Sequence, residues 1–399
     1  MRIVQIEDFF HPDAGYQVNI LAKYFAKKGH EVVVVTAEME KIPDELTSFF
    51  GKDNIDEKDR HYEQEYNVRI VRVPVKKYFS GRVIYKKCLK KIVNELKPDV
   101  LYVHGNDTFV GMQYILKAKK LPFPIVSDSH MLEMASKNKF SKVFRLFYRL
   151  FVTPKIIKYK IPIIRTQNDN YVEKCLGIPL EQAPWISYGS DMMLFVEDEK
   201  KRALFREQNN ISNDDFVVVF AGKLIESKGA MLLAKTFGKK FNTKKRVVLL
   251  VVGNTSGDYG KMVEEEFANS ENRILRFPTQ KYRELAIFYQ ASDLAVFAKQ
   301  CSLSFYDVQA CGLPVVSENN NINIDRCSHG NGICFEKDSI DSFREAVGRF
   351  ANMSVEELDE YKRNSVLFVK NGYDYDIKAD EYLNIINNAY LRAKGEKNG

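Results

Sequence analysis

The sequence contains few features of a metal-binding, secreted or membrane-spanning protein. Its six cysteines are scattered over 399 residues and form no C-x-x-C pair, which argues against a zinc site or disulfide framework and fits a reducing cytosol. It has no run of about 18 apolar residues, so we expect no membrane-spanning helix. The segment MRIVQIEDFF does not join a basic stretch to a long apolar core, and therefore does not predict a secretory signal.

Charge is distributed unevenly in a chain of otherwise ordinary composition. Hydrophobic residues make up 45% and charged residues 28%, which is typical of a soluble globular protein with room for about two or three domains. Residues 1–190 carry 31 Lys and Arg against 22 Asp and Glu (31 − 22 = +9), and the remainder carry 29 against 31 (−2). The first half is therefore predicted to meet an anionic surface or partner.

Buried strands alternate with helices along the whole chain. In the first half we predict strands at residues 1–6, 31–36, 68–73, 100–103, 124–127, 161–165 and 185–188, with a long loop at 38–66. In the second half we predict strands at 216–220, 246–252, 274–277, 294–297 and 314–317, after a linker at 190–214. This pattern predicts an α/β fold of two Rossmann-like parallel-sheet domains facing across a cleft. The domains would be 1–195 and 196–375, with a helix at 376–394 packing back on the first.

One strand-to-helix turn carries two cations. In FVVVFAGKLIESKG, Gly222 ends the strand, Lys223 and Lys228 lie in the turn, and a helix begins near Ala230. Two ammonium groups beside a helix N-terminus predict a diphosphate site. The alternative is an ordinary turn with solvated lysines.

Several segments resemble a known family in the family's own order. The chain is similar to GT-B glycosyltransferases, most of all to the large retaining group numbered family four. The matching segments are Gly15-Tyr16-Gln17, Gly29-His30-Glu31-Val32, Tyr188-Gly189-Ser190-Asp191 with Phe195, AGKLIESKG at 221–229, and Ala310-Cys311-Gly312-Leu313-Pro314-Val315-Val316.

The resemblance implies a nucleotide-diphosphate sugar as donor, UDP- or GDP-linked, with no other cofactor and no metal. It implies that the domain at 1–195 binds the acceptor and that the domain at 196–375 binds the donor. It implies that Lys223 and Lys228 grip the diphosphate, that the loop at Gly15 leaves room for phosphate and acceptor, and that the reaction proceeds with retention. The two glutamates of the family correspond here to Asp307, which could still accept hydrogen bonds from a ribose, and to Lys299, which reverses the charge.

Further candidates lie after other strands. Backbone N–H groups of Ser302, Leu303 and Ser304, where a helix is predicted to begin, could bind the donor, although a plain helix cap is the alternative. His130 follows a strand and could donate to a sugar hydroxyl or polarise the reaction centre. His104 is a second candidate of the same kind. A hydrogen-bonded loop histidine is the alternative for both.

A basic aromatic stretch runs from Lys137 to Lys160, with eight Lys and Arg and no acid, and residues 76–91 add seven more. Its apolar residues recur at helical spacing, which is typical of a helix in a membrane interface. We therefore expect an anionic membrane surface as a partner, a lipid-linked or glycan acceptor, and a peripheral position on the inner face of the plasma membrane. A domain helix with solvated cations is the alternative, and no nucleic-acid module is recognisable.

The predicted function is a hexosyltransferase-type glycosyltransferase of polysaccharide biosynthesis that acts in the cytoplasm. Lys299 keeps a different function open, that of a catalytically silent GT-B protein that binds donor or supports a partner transferase. An epimerase or a phosphorylase on the same fold is a third possibility.

Overall fold

The chain folds into two compact units. The computed structural model describes residues 1–43, 50–131, 141–168, 171–299 and 304–398. Unit 1 comprises Met1–Tyr188 and Tyr375–Gly399, and unit 2 comprises Gly189–Asp374. The second unit is therefore one continuous segment, whereas the first is assembled from both ends of the chain.

Unit 1 contains a six-stranded parallel sheet in the order β3-β2-β1-β6-β7-β8 and a separate antiparallel hairpin, β4-β5. The strands are β1 Arg2–Glu7, β2 Glu31–Ala37, β3 Val68–Val73, β4 Val75–Phe79, β5 Arg82–Tyr85, β6 Val100–Val103, β7 Ile125–Ser129 and β8 Ile163–Arg165. The central strands are nearly continuous β-branched runs, because helices cover both faces of such a sheet. Ile3 of β1 lies opposite Val32 on one side and Val100 on the other.

Unit 2 contains a second six-stranded parallel sheet, in the order β11-β10-β9-β12-β13-β14. Its strands are β9 Asp215–Ala221, β10 Arg246–Val252, β11 Arg273–Phe277, β12 Leu294–Phe297, β13 Val315–Glu318 and β14 Gly332–Phe335. Each unit has its own core of buried aliphatic and aromatic side chains. Two Rossmann-like sheets confirm the predicted fold class.

Helices connect the strands. In unit 1 they are α1 Gln17–Lys27, α2 Ile55–Tyr66, α3 Cys88–Leu96, α4 Phe109–Leu116, α5 Ser141–Phe147, α6 Thr153–Lys158 and α15 Tyr375–Asn398. In unit 2 they are α7 Glu199–Gln208, α8 Ala230–Thr236, α9 Gly257–Ala268, α10 Leu285–Gln290, α11 Ser304–Ala310, α12 Asn321–Cys327, α13 Ile340–Asn352 and α14 Val355–Gly372. Over the described ranges, no helix combines the length and apolar character needed to cross a membrane.

Shorter helical turns complete the chain. The π-helical turns are Tyr148–Val152 and Tyr171–Cys175, and the 3-10 turns are Met39–Lys41, Ala118–Lys120, Leu180–Gln182, Glu226–Lys228 and Tyr282–Glu284. Because Tyr148–Val152 lies between α5 and α6, residues 141–158 form one helical run with a π-turn in its middle.

Helix α15 belongs to unit 1 through buried and charged contacts. The side chain of Tyr382 is buried, and its hydroxyl accepts a hydrogen bond of 2.5 Å from Nε2 of Gln17 on α1. At the other end of α1, Nζ of Lys28 lies 3.2 Å from Asp376 and 2.9 Å from Asp380.

The structure corrects the prediction of a long loop at residues 38–66. Helix α2 fills its second half and is bounded by Asn54 and Asn67, both in the left-handed conformation. Only Asp59 and Tyr62 of this helix are buried, so the sequence shows almost no apolar periodicity there. Residues 44–49 lie outside the described part of the chain.

The hairpin β4-β5 and strand β14 are also absent from the prediction. Ser80 and Gly81 connect β4 to β5, and both have positive φ, as a two-residue hairpin turn requires.

The predicted strand at 185–188 is wrong, because that segment makes only an isolated bridge between Arg165 and Trp185.

The predicted linker at 190–214 contains helix α7, which is anchored to the sheet of unit 2 by a buried ion-pair network. Arg202 and Arg206 of α7 lie 2.6 Å and 3.4 Å from the carboxylate of Asp293, which also accepts a hydrogen bond from Val217 N–H of β9. Although burial opposes ionisation, the two guanidinium groups hold the pKa of Asp293 below its ordinary value. The charged residues that suggested a linker therefore include those that hold α7 against the sheet of unit 2.

Replacing Asp293 with asparagine should lower the free energy of unfolding of unit 2 by about 3 kcal/mol at pH 7, because the buried Arg206 and the partly buried Arg202 lose their counter-charge. Urea denaturation measures the change. The matched control is Asp214→Asn, an exposed neighbour in the same unit, which should change stability by less than about 0.5 kcal/mol. Equal stability of the two variants would contradict the anchoring role of Asp293.

Candidate functional site

The strand order reverses beside the first strand of each sheet. In unit 1 the reversal lies between β1 and β6, and in unit 2 between β9 and β12. Connections on the two sides of such a point leave in opposite directions, which opens a crevice at the carboxyl ends of the strands where α/β proteins bind ligands. The segments after these four strands are therefore the places to look for a site.

The lysine turn, residues 222–229, follows β9 at the reversal in unit 2. Lys223 is exposed, and Lys228 is half-buried at the end of the 3-10 turn Glu226–Lys228. Helix α8 begins at Ala230 as predicted. An added side chain at Gly222 would meet no neighbour closer than 3.8 Å, so the space beside its backbone is open.

The lysine turn packs against the segment that leaves β12. Gly229 has φ of 73°, and a Cβ atom there would lie 2.9 Å from both Ala298 Cβ and Lys299 Cγ. A Cβ on Gly253, after β10, would overlap the carbonyl oxygen of Gly222. Glycine is required at both positions, because only a residue without Cβ allows these segments to approach so closely.

Lys299, which occupies a glutamate position of the family resemblance, forms an ion pair. Its Nζ lies 2.8 Å from Oδ1 of Asp338, and this hydrogen bond raises the pKa of Lys299 above its ordinary value. The cation is therefore held beside the lysine turn by a carboxylate of the same unit.

Asp307 lies on α11 with its carboxyl group buried. Its Oδ1 accepts a hydrogen bond of 2.8 Å from the hydroxyl of Ser190, and burial raises the pKa of Asp307 well above its ordinary value. Helix α11 begins at Ser304 among the described residues, while Ser302 and Leu303 lie outside them. That Asp307 accepts a hydrogen bond from a ribose therefore stays a prediction.

In unit 1, Asp128 lies at the carboxyl end of β7, and each of its two carboxylate oxygens has two hydrogen-bond partners. Its Oδ1 lies 2.7 Å from Gly105 N–H and 3.0 Å from His130 Nε2, and its Oδ2 lies 2.7 Å from the Tyr102 hydroxyl and 2.8 Å from His104 Nδ1. Asp128 is fully buried. Although burial opposes ionisation, the two histidines hold the pKa of Asp128 well below its ordinary value.

His130, the predicted catalytic residue, lies at the surface end of this network with 34% of its side chain exposed. Its Nδ1 is 2.7 Å from the hydroxyl of Tyr188, which also accepts a hydrogen bond from Thr166. Desolvation lowers the pKa of His130, but the charge of Asp128 and the hydrogen bonds to Asp128 and Tyr188 outweigh it and raise the pKa well above its ordinary value.

His104 is enclosed, unlike His130. Its side chain is 1% exposed, with Nδ1 on Asp128 and Nε2 2.8 Å from Gln5 Oε1. His104, Asp128 and His130 bring ligand-type atoms within 4.8 Å of one another. We interpret the cluster as a hydrogen-bonded network, because these atoms pair with each other at hydrogen-bond distance and metal binding would break those pairs.

The end of β1 and the loop after it, which contains Gly15, carry two acids that sequence reasoning missed. Burial raises the pKa of the Glu7 carboxyl, and it raises the pKa of Asp8 to about 7. Tyr16 is exposed beside Gly15, and its ring lies 6.0 Å from that of Phe9. Two acids in a row where a buried strand ends, ahead of a glycine loop, were a usable signal.

A cavity of about 630 Å³ lies elsewhere in unit 1, at the amino ends of β2 and β3. His30, Glu31 and Asn67 are among its lining residues. Because ligands of such sheets bind at the carboxyl ends of the strands, this cavity is a poor candidate for the site.

Comparison with known proteins identifies the family. The model described as "Glycosyl transferases group 1" matches residues 201–366, and that of "Glycosyltransferase Family 4" matches residues 14–169. A D-inositol 3-phosphate glycosyltransferase of Segniliparus rotundus is 30% identical over 136 residues, which are 32% of this chain and 30% of that protein. The chain thus spans under a third of the length of this curated relative.

Solved structures share the fold across both units. A glycosyltransferase from Rickettsia africae has a TM-score of 0.75 at 14% identity, covering 97% of this chain and 98% of that one. Anabaena HepE in complex with UDP-glucose has a TM-score of 0.70 at 15% identity, covering 96% and 99%. Two successive family models and the common architecture agree, and the chain belongs to the group 1 glycosyltransferases of the GT-B fold.

Proposed function

We propose that the protein transfers a sugar from a nucleotide-diphosphate sugar to a lipid-linked or glycan acceptor, with retention and without a metal. The proposal depends on one observation: Lys223 and Lys228 lie in the turn after β9, at the strand-order reversal of unit 2. Relatives named as glycosyltransferases and a fold neighbour that binds UDP-glucose support it.

The lysine turn suits the charge that develops during the reaction. As the bond to the sugar breaks, the leaving nucleoside diphosphate gains negative charge, and positioned cations stabilise that charge. Lys223 and Lys228 supply two ammonium groups, while the open backbone at Gly222 leaves room for phosphate oxygens. Asp307 is the candidate partner for the ribose.

Unit 1 would serve the acceptor. Its reversal point carries Gly15 after β1 and lies beside the β7 end with His130, so the exposed groups there are available to a sugar hydroxyl. With retention, the acceptor attacks the face that carries the leaving phosphate, which can itself take the proton. No protein nucleophile is assigned.

Lys228→Ala should weaken donor binding by about 1–3 kcal/mol, because a charge-assisted hydrogen bond to the diphosphate is lost. Calorimetry with a panel of UDP-, GDP-, ADP- and CDP-sugars first selects the donor and then measures the change. Lys235→Ala is the matched control, since Lys235 is an exposed lysine at the other end of α8. Unchanged affinity in Lys228→Ala would place the donor elsewhere.

We also propose that unit 1 binds an anionic membrane surface through the helical run 141–158. Its buried face is Tyr148, Val152, Thr153 and Ile156. Large apolar side chains cover its opposite face and remain exposed: Val143, Leu146, Phe147, Leu150 and Phe151. Lys137 and Lys139 of the predicted stretch lie outside the described residues.

Four of the five cations of this helical run fall into two groups, and the fifth, Lys155, is partly buried. Arg149 donates to the carbonyl of Cys175, and the guanidinium of Arg145 lies 5.9 Å from the centre of the Tyr171 ring. Both arginines therefore connect the run to the turn Tyr171–Cys175. Lys142 and Lys158 are exposed beside the apolar face. Exposed apolar groups flanked by lysines complement a bilayer with anionic lipid.

A second exposed aromatic group in unit 1 lies beside helix α4. Phe79, at the end of β4, is 56% exposed, and its ring lies 6.3 Å from that of Phe109 on α4. Helix α4 contacts both β5 and the helical run 141–158. Helix α4 therefore connects the hairpin of the second basic stretch to the helical run 141–158.

The double substitution Leu150→Ser and Phe151→Ser should reduce binding to vesicles that contain anionic lipid at least tenfold, because two apolar side chains no longer enter the interface. Vesicle flotation at low and high salt measures binding. Both residues are more than half exposed, so folding should be retained. Met262→Ser, an exposed apolar site in unit 2, is the control. If the unsubstituted protein floats with neither anionic nor neutral vesicles, the membrane proposal is wrong.

The Lys299–Asp338 ion pair favours a second candidate, a catalytically silent protein that binds donor or supports a partner transferase. A glycosyltransferase should release nucleoside diphosphate from its donor, whereas the silent protein should bind the donor without releasing product. A coupled assay for released diphosphate, run beside calorimetry on the same preparation, separates the two.

A further inference from the structure

Glu7, the last residue of β1, has an incomplete set of hydrogen-bond partners. Its Oε1 lies 3.5 Å from the N–H of Phe9, which is long for a hydrogen bond, and its Oε2 has no partner among the described residues. The residue is half-buried, so water reaches its carboxyl group only in part. Because a carboxyl group withdrawn from water needs hydrogen bonds from elsewhere, Glu7 has unused capacity to accept them from a ligand.

The neighbouring Asp8 is used within the fold. It is buried, and its Oδ2 accepts a hydrogen bond of 3.1 Å from the N–H of Val83 in the hairpin β4-β5. Tyr85 of the same hairpin donates a hydrogen bond of 3.1 Å to the main-chain carbonyl of Glu7. These two bonds hold the end of β1 in place, and of the two acids only Glu7 is not enclosed.

Three aromatic rings pack together on the segments beside Glu7. The centre of the Tyr16 ring lies 6.0 Å from that of Phe9 and 6.3 Å from that of Phe50, and the rings of Phe9 and Phe50 lie 6.4 Å apart. Tyr16 is 42% exposed, whereas the other two are half-buried. The two phenylalanines therefore support one exposed ring, which lies directly before helix α1.

Glu7, Tyr16 and His130 lie close enough for their charges to interact. Burial raises the pKa of the Tyr16 hydroxyl, and the charge of Glu7 raises it further. Burial also raises the pKa of Glu7, while His104 and His130 oppose that rise. Of these two histidines, His130 is the exposed one. An acid, an aromatic ring and an imidazole thus adjoin one place near the reversal between β1 and β6.

We propose that Glu7 and Tyr16 bind the acceptor through an uncharged sugar ring, with Glu7 accepting hydrogen bonds from its hydroxyls and Tyr16 packing against its C–H face. This assignment rests on the proposed glycosyl transfer and names the chemical class of the group that receives the sugar. A pyranose ring suits both residues, because its hydroxyls donate hydrogen bonds and its faces carry apolar C–H groups.

Two other acceptor groups would satisfy only half of this site. A phosphate at neutral pH offers oxygen acceptors and few donors, so it would leave Glu7 without a partner and bring anions together. Arg82, a cation of the adjoining hairpin, is already paired with Asp107 at 3.5 Å. A hydrocarbon chain would pack on Tyr16 but would bury the carboxyl group of Glu7 without a hydrogen bond, which is unfavourable.

The test is saturation-transfer NMR on the full-length protein. The uncharged probes are the methyl glycosides of glucose, galactose, mannose and N-acetylglucosamine, and the charged probes are glycerol phosphate and inositol phosphate. At least one glycoside should bind in the millimolar range, and more tightly than either phosphate. Glu7→Gln and Tyr16→Ala should each weaken its binding about tenfold or more, because a charged hydrogen-bond acceptor or the ring is lost. Tyr16→Phe, which keeps the ring, should bind as the unsubstituted protein does.

Glu95→Gln is the control for the carboxyl group, since Glu95 is an exposed acid of α3 that pairs with Lys91, and it should leave glycoside binding unchanged. If the unsubstituted protein binds no glycoside, or binds a phosphate more tightly, the assignment is wrong, and this comparison holds even where a variant does not fold. Unchanged binding in folded Glu7→Gln or Tyr16→Ala would also overturn it. Because the NMR test uses no donor, glycoside binding without release of nucleoside diphosphate in the coupled assay would contradict the proposed function alone.

Discussion

The position of the first strand in each sheet is the constraint on which the rest of the structure depends. A parallel strand buried on both faces is largely apolar, so polar side chains concentrate towards the end of the strand. Because β1 and β9 each lie where the strand order reverses, the segments that follow them border a crevice. The lysine turn and the loop at Gly15 occupy those two places.

The two units place charge in opposite ways. In unit 2, the charges belong to the lysines of the turn themselves: Lys223 is exposed and Lys228 is half-buried. In unit 1, a buried carboxylate, that of Asp128, contacts the exposed ring of His130. The first arrangement suits an incoming polyanion, whereas the second fixes the orientation of one exposed ring.

Much of the fold could be predicted, since the central strands are apolar runs of the expected length. Helix α2 was missed because it buries only two of its side chains, and helix α7 was taken for a linker because its arginines bind Asp293 from a distant part of the sequence. Long-range pairing of this kind leaves no local pattern.

The candidate site was predictable only in part. Lys223, Lys228 and His130 follow strands and could be named from that rule alone. The partnership of His104 and His130 through Asp128 could not, because it joins side chains from different strands that meet only in the folded sheet. The burial of Asp307 against Ser190 is another tertiary feature, which no spacing reveals.

The discontinuity of unit 1 has a practical consequence. Gly189–Asp374 could be excised and expressed as one uninterrupted polypeptide, but the other unit requires Tyr375–Gly399 to be supplied, either by fusion behind Tyr188 or as a separate peptide. Without α15, the hydroxyl of Tyr382 and the acids that meet Lys28 would be missing, and a face of α1 would be left uncovered. A truncation at the carboxyl terminus would therefore damage the amino-terminal half of the molecule first.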